Sequence, residues 1–327
     1  GQGAAMVVSQ NGNTDIRRNL DGVTVDKGTL NIGQATFTGQ AVQLDASRSL
    51  GLNAKAAINT KQFGLGAPRI VVGGSADTAG AVALDGLLLN SLKGADSMQL
   101  RSYSSIDFKG SQAFDARGAD GKPLLRKVVL DAPQLRGLGQ STDIVSVTAQ
   151  SVVLRNTSGV TPLATETGTS TLAIQAEPVL SDKSTGGITL GEGTQRLAFA
   201  NSTLTSKGDI VFYGQGKLAT QGDITLAAAR VTATGTAVHG VDSAGTLTIT
   251  SAANSRTLGE RVGAGGSLSL SGERVVQDGL VDVASGKIKI TGKGSSTARR
   301  DTVTLTERSI TKAAGWTQAV GKSWAVD

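Results

Sequence analysis

The chain has 327 residues, of which 44 are Gly and 5 Pro, with 39% hydrophobic but only 3% aromatic side chains. Glycine stands near twice its usual share of about 7%, while Gly and Pro together stay below the roughly 25–30% of low-complexity disorder, so the chain folds, and it folds around Val, Ile, Leu and Ala. Thirty-two Lys and Arg against 26 Asp and Glu leave a scattered +6, and Cys is absent, which excludes a dedicated nucleic-acid binder, a disulfide framework and a thiolate metal site.

Residues 1–22 read as an irregular lead-in. The start, Gly1-Gln2-Gly3-Ala4-Ala5-Met6-Val7-Val8, has no basic region and no apolar stretch of signal-peptide length, so the sequence is expected to begin inside a longer precursor. No run of about 18 apolar residues occurs, so no membrane insertion is expected. Gly28-Thr29-Leu30-Asn31-Ile32 is the first copy of a unit that recurs later. Between Tyr103 and Leu130 the charge density rises, and Asp-Gly and Lys-Pro steps predict an excursion loop or hairpin at 115–123. A Ser/Thr/Gly-rich stretch from Thr157 to Thr171 predicts a second loop.

Two repeated elements organise the remainder. In the first, a small residue stands between apolar ones, as in Leu130-Asp131-Ala132-Pro133-Gln134-Leu135, Val147-Thr148-Ala149-Gln150-Ser151-Val152 and Leu226-Ala227-Ala228-Ala229-Arg230-Val231. The small residue falls where two short strands meet at a corner. In the second, Gly is followed one residue later by apolar-polar-apolar: Gly208-Asp209-Ile210-Val211-Phe212, Gly222-Asp223-Ile224-Thr225-Leu226, Gly245-Thr246-Leu247-Thr248-Ile249, Gly266-Ser267-Leu268-Ser269-Leu270 and Gly286-Lys287-Ile288-Lys289-Ile290, with a shortened copy at Gly187. The glycines step by 21, 14, 23, 21 and 20 residues, and the step of 14 reads as a short or broken turn.

Alternation of this kind marks half-buried strands, and no 3.6-residue period is sustained. One turn of such chain cannot bury its own apolar face, but coils stacked about 4.8 Å apart bury a continuous column. The fold class is therefore all-β, a parallel β-helix over 23–294 with irregular loops. At about 21 residues per coil it should make roughly fifteen coils and a rod on the order of 70 Å. Residues 295–327, with Arg299-Arg300, Thr302–Thr306 and the only two tryptophans, Trp316 and Trp324, read as a cap or as the start of the next module.

With Gly-Asp-Ile-Thr-Leu at 222–226, Gly-Thr-Leu-Thr-Ile at 245–249 and the Leu-x-Ala corners, the chain resembles the filamentous haemagglutinin family of bacterial exoproteins, most closely over Met98–Ala253. The resemblance implies a right-handed parallel β-helix within a two-partner-secretion adhesin or toxin carrier, secreted and displayed on the bacterial cell surface. It implies an outer-membrane secretion partner for the full-length protein and a receptor or glycan on a host or neighbouring cell. No Asn precedes a Pro, so the family's secretion signature is absent, and Arg117-Gly118-Ala119-Asp120 misses the Arg-Gly-Asp tripeptide by one inserted residue.

Parallel β-helices also carry polysaccharide lyases and hydrolases, which need clustered carboxylates. Here no Asp-Asp pair occurs, and Asp209, Asp223, Asp282 and Asp301 read as surface or turn residues. His239, the only histidine, reads as a turn residue rather than a general base. No complete phosphate loop, Gly-x-Gly-x-x-Gly or Gly-x-Ser-x-Gly occurs, so no enzyme activity, cofactor or metal is expected. One stretch rises above background: Lys287, Lys289, Lys293, Arg299, Arg300, Arg308 and Lys312 against Asp301 and Glu307, a candidate site for an anionic glycan whose plainer reading is a solvated, lysine-blunted strand edge.

Overall fold

The computed structural model describes residues 3–11, 28–53, 55–76, 80–178, 187–256, 263–294 and 302–315. Among them are thirty strands and one short helix. The strands form three long sheets of eleven, nine and eight strands, plus a separate two-stranded one. The chain visits the three long sheets in rotation. Ser97–Ser102 lies on the eleven-stranded face, Ser105–Lys109 on the nine-stranded and Gln112–Phe114 on the eight-stranded, and then Lys127–Asp131, Gln134–Leu138 and Ile144–Ala149 repeat the circuit one rung along, parallel to their predecessors. This is a parallel β-helix with three faces.

Stacking in register turns the alternation of each strand into a column. On the eight-stranded face Val147, Ile174, Leu204, Leu226 and Ile249 are successive partners, and each is essentially inaccessible. The buried residues of all three faces join into one apolar cluster, with Phe108, Phe199 and Phe212 its bulkiest members. At about 1.5–3 kcal/mol for each fully buried aliphatic or Phe side chain, this column is the principal favourable term in folding. The small-residue corners lie where expected: Ala132, Ala149 and Ala228 are buried between consecutive faces. At the equivalent corner, a Cβ on Gly272 would lie 2.8 Å from the Arg274 carbonyl oxygen, so no larger residue fits without a shift.

The glycine unit, however, does not mark one face. Gly208 precedes a strand of the eleven-stranded face and Gly222 one of the eight-stranded face, with Gln215–Thr220 of the nine-stranded face between them. The 14-residue step is therefore two thirds of one coil, not a shortened coil. The step from Gly245 to Gly266 likewise changes face, from the eight-stranded to the nine-stranded. The longest face holds eleven strands among the described residues, on the order of 50 Å of stacking, where about fifteen coils were expected. Insertions lengthen the coils: the predicted turn at 115–123 closes through an antiparallel bridge between Arg117 and Pro123, and the predicted second loop fills the gap between Ser151–Arg155 and Thr171–Ala176.

The ends also depart from the sequence reading. Ala4–Ser9, expected to be irregular, is a strand antiparallel to Thr36–Ala46. Gly86–Lys93 is a helix, too short at eight residues to display a period; Leu88 and Leu89 are buried, and the Lys93 ammonium lies 5.7 Å from the centroid of Phe114 on the first strand of the eight-stranded face. Val303–Leu305 and Ile310–Lys312 extend two faces by one more parallel rung, leaving Val303, Leu305 and Ile310 exposed. Arg299, Arg300, Asp301, Trp316 and Trp324 lie outside the described residues. No helix among the described residues is long and apolar enough to cross a membrane.

Candidate functional site

The coil distributes the basic stretch over different faces. Lys287 and Lys289 lie on the last strand of the nine-stranded face and Lys293 directly follows it, Arg308 follows the last strand of the eight-stranded face, and Lys312 lies on the eleven-stranded face. Lys287 and Lys289 alternate with the half-buried Ile288 and Ile290, so both ammonium groups project to solvent and neither makes an ion pair among the described residues. Lys293 instead reaches back to Asp242, which also holds Lys217 at 2.6 Å and accepts from the Ser271 hydroxyl at 3.0 Å. Burial alone would raise Asp242, yet these three donors hold it at about 2. Arg308 is spent on Asp278, whose carboxyl it lowers.

His239 is a strand residue, not a turn residue. It lies in Val238–Ser243, 5% exposed, its ring edge-on to Phe212 with centroids 5.1 Å apart. Nε2 is 2.8 Å from the Gly191 carbonyl oxygen and Nδ1 accepts from the Gly240 N–H, an arrangement that requires the neutral tautomer protonated at Nε2. Burial lowers its pKa. A Cβ on Gly216 would lie 2.5 Å from Nε2, so glycine there makes room for the ring. Both nitrogens are occupied by backbone, and the ring serves packing.

Two of the acids read as surface residues are buried. Asp209 pairs with Arg230 inside the stack, and Asp282 is 5% exposed in Leu280–Asp282; Asp223 is exposed, accepting from the Thr246 N–H. Among the described residues, no group of three or more His, Asp or Glu is arranged to hold a metal ion.

What the sequence did not single out is a set of ion pairs knitting neighbouring rungs and pinning both excursions. Asp131, fully buried, accepts from Arg155 Nε at 2.9 Å and from the N–H and hydroxyl of Thr157 at 2.8 Å each. Glu177 takes the fork of Arg117 from the 115–123 turn, at 2.5 and 3.1 Å, and the Lys207 ammonium at 2.9 Å. Arg117 first and Lys207 second hold Glu177 at about 2 against the burial that would raise it.

On the nine-stranded face, Asp107 binds Arg136 through two bonds of 3.0 and 2.6 Å. Glu166, from the 157–171 loop, lies across the same face: its carboxylate is 3.1 Å from Arg69 Nη2 and 3.3 Å from Arg136 Nη1, and its carbonyl oxygen accepts from Gln134 Nε2 and Arg196 Nη1. Burial would lower Arg136, but Asp107 and then Glu166 hold it above its ordinary value, whereas burial prevails at Arg196 and lowers it. Opposite charges one coil apart are the signal that sequence reading passed over. No protein-family model matches the chain, and no curated protein or solved structure matches it.

Proposed function

We propose that this chain is a structural rod segment of a large secreted, cell-surface exoprotein of the filamentous haemagglutinin kind, holding binding or toxin modules away from the cell. The observation that carries the reading is the single aliphatic column shared by three parallel faces, in which each rung bonds to its neighbours, so that length grows in proportion to the number of rungs. The buried or tied carboxylates at Asp131, Asp209 and Glu177 serve the stack, which favours a mechanical over a hydrolytic role. The test is antibody labelling of the full-length gene product on intact cells, before and after deletion of one coil. Surface labelling that survives the deletion supports the rod. Exclusive retention in the cytoplasm overturns it.

A second reading draws on Lys287 and Lys289, two exposed ammonium groups two residues apart on one strand, which suit a sulfated or carboxylated glycan docked by charge. Heparin retention that falls on Lys287→Glu with Lys289→Glu supports it, and unchanged retention removes it.

A further inference from the structure

The 157–171 loop is attached in an unusual way. Its base is fixed by Asp131 on Thr157 and by the Asn156 amide, which donates to the Val160 and Thr194 carbonyl oxygens. Its tip buries no large apolar side chain, since Val160 is 40% and Leu163 59% exposed. Beyond the tip the backbone is read group by group. Arg69 and Arg136 take the Glu166 carboxylate, Gln134 and Arg196 take the Glu166 carbonyl oxygen, and the Gln221 amide accepts from the Gly168 N–H and donates to its carbonyl oxygen, both at 2.9 Å. A Cβ on Gly168 would lie 2.0 Å from the Ala198 carbonyl oxygen, so only glycine fits. Glu166-Thr167-Gly168 is the one Glu-x-Gly in the chain. Without Glu166, Arg69 and Arg136 would share a single carboxylate, Asp107.

We propose that this patch of the nine-stranded face is a peptide-binding site for a Glu-x-Gly segment, filled at rest by the chain's own loop and open to an acidic peptide of a partner protein that displaces it. The arginine fork selects the carboxylate, the carbonyl donors fix the main chain beside it, and the Gln221 pair with the steric wall at Ala198 selects glycine two residues on. The loop acts as a tethered competitor, so its local concentration sets how strongly an incoming segment must bind.

The probe is a synthetic heptapeptide with the sequence of residues 164–170, beside versions carrying Gln for Glu or Val for Gly. Against the full chain with Glu166→Ala and Gly168→Val, which release the loop, the parent peptide should bind saturably and at least tenfold tighter than to the unsubstituted chain, and each altered peptide should lose at least tenfold. On the unsubstituted chain, millimolar parent peptide should speed proteolytic cleavage between Thr161 and Thr165. Absence of saturable binding to a released variant of normal melting temperature overturns the proposal, as does equal binding of the Gln peptide, or capture of polygalacturonate with the peptide silent. Should the released variant not fold, unaltered cleavage of the unsubstituted chain decides against it.

Discussion

Arg230 Nη2 lies 2.5 Å from Asp209 Oδ2, and the two residues are register partners on adjacent rungs of the eleven-stranded face, each under 5% exposed. A one-residue slip would part them and leave two charges buried without each other, so the pair acts on register more than on net stability. Asp209→Asn, which strands the guanidinium, should lower unfolding free energy by about 3–5 kcal/mol, while the double replacement Asp209→Leu with Arg230→Met should recover most of it. Urea unfolding of the three proteins checks this; equal losses in single and double variants would show that the pair does not set register.

Glu177 makes a pH-dependent contribution. Its pKa is about 2 when folded and near 4.5 when unfolded, so the unfolded chain binds the proton more readily, and the stabilisation is complete above about 4.5 and lost as the pH falls toward 2. Because Arg117 and Lys207 are each 39% exposed, the contribution is about 1 kcal/mol rather than the full shift. Glu177→Gln should flatten the melting temperature between pH 5 and about 2.5 relative to the parent, and a parallel decline in both proteins would remove Glu177 from the account.

His239 gives a clean spectroscopic readout because it is the only histidine. Burial disfavours the imidazolium, so the unfolded state protonates first and stability falls as the pH drops below about 6.5. Nitrogen-15 NMR should find the neutral Nε2–H tautomer still present at pH 6. A ring titrating at about 6.5 would mean that the Gly191 contact is not kept in solution.

Phe212, buried beneath His239 in the column, tests the core. Phe212→Ala should cost about 3–5 kcal/mol, and Tyr213→Ala, on the next and half-exposed position, less than about 1. Comparable losses at the two sites would mean that Phe212 is not the buried member of the pair and Tyr213, just past the strand end, the solvent-facing one.

The fold class was legible because the pattern needed for it is local: Leu247 and Ile249 alternate with Thr246 and Thr248, and Ala132 and Ala228 mark corners. Which face each strand joins was not legible, since all three faces share one apolar period and Gly208 and Gly222 open different ones. The basic stretch misled for the same reason: Lys287 and Lys312 are close in the chain and end on separate faces. A legible signal did exist for the ion pairs, because Asp209-Ile210 and Arg230-Val231 stand 21 residues apart, one coil on. Glu166 left none, since it stands in an irregular loop with no strand pattern and its partner Arg69, 97 residues earlier, is brought to it only by stacking.

The parallel register itself is best tested by disulfide capture, which the absence of native Cys makes unambiguous. Cysteines at Thr189 and Val211, at Ser269 and Lys289, and at Thr225 and Thr248 replace register partners on the three faces in turn. Neighbouring strands about 4.8 Å apart bring such pairs within disulfide reach, whereas a two-residue offset such as Thr225 with Thr246 does not. All three register pairs should oxidise rapidly and the offset pair should stay reduced; free thiols throughout, or equal oxidation of the offset pair, would contradict the stack.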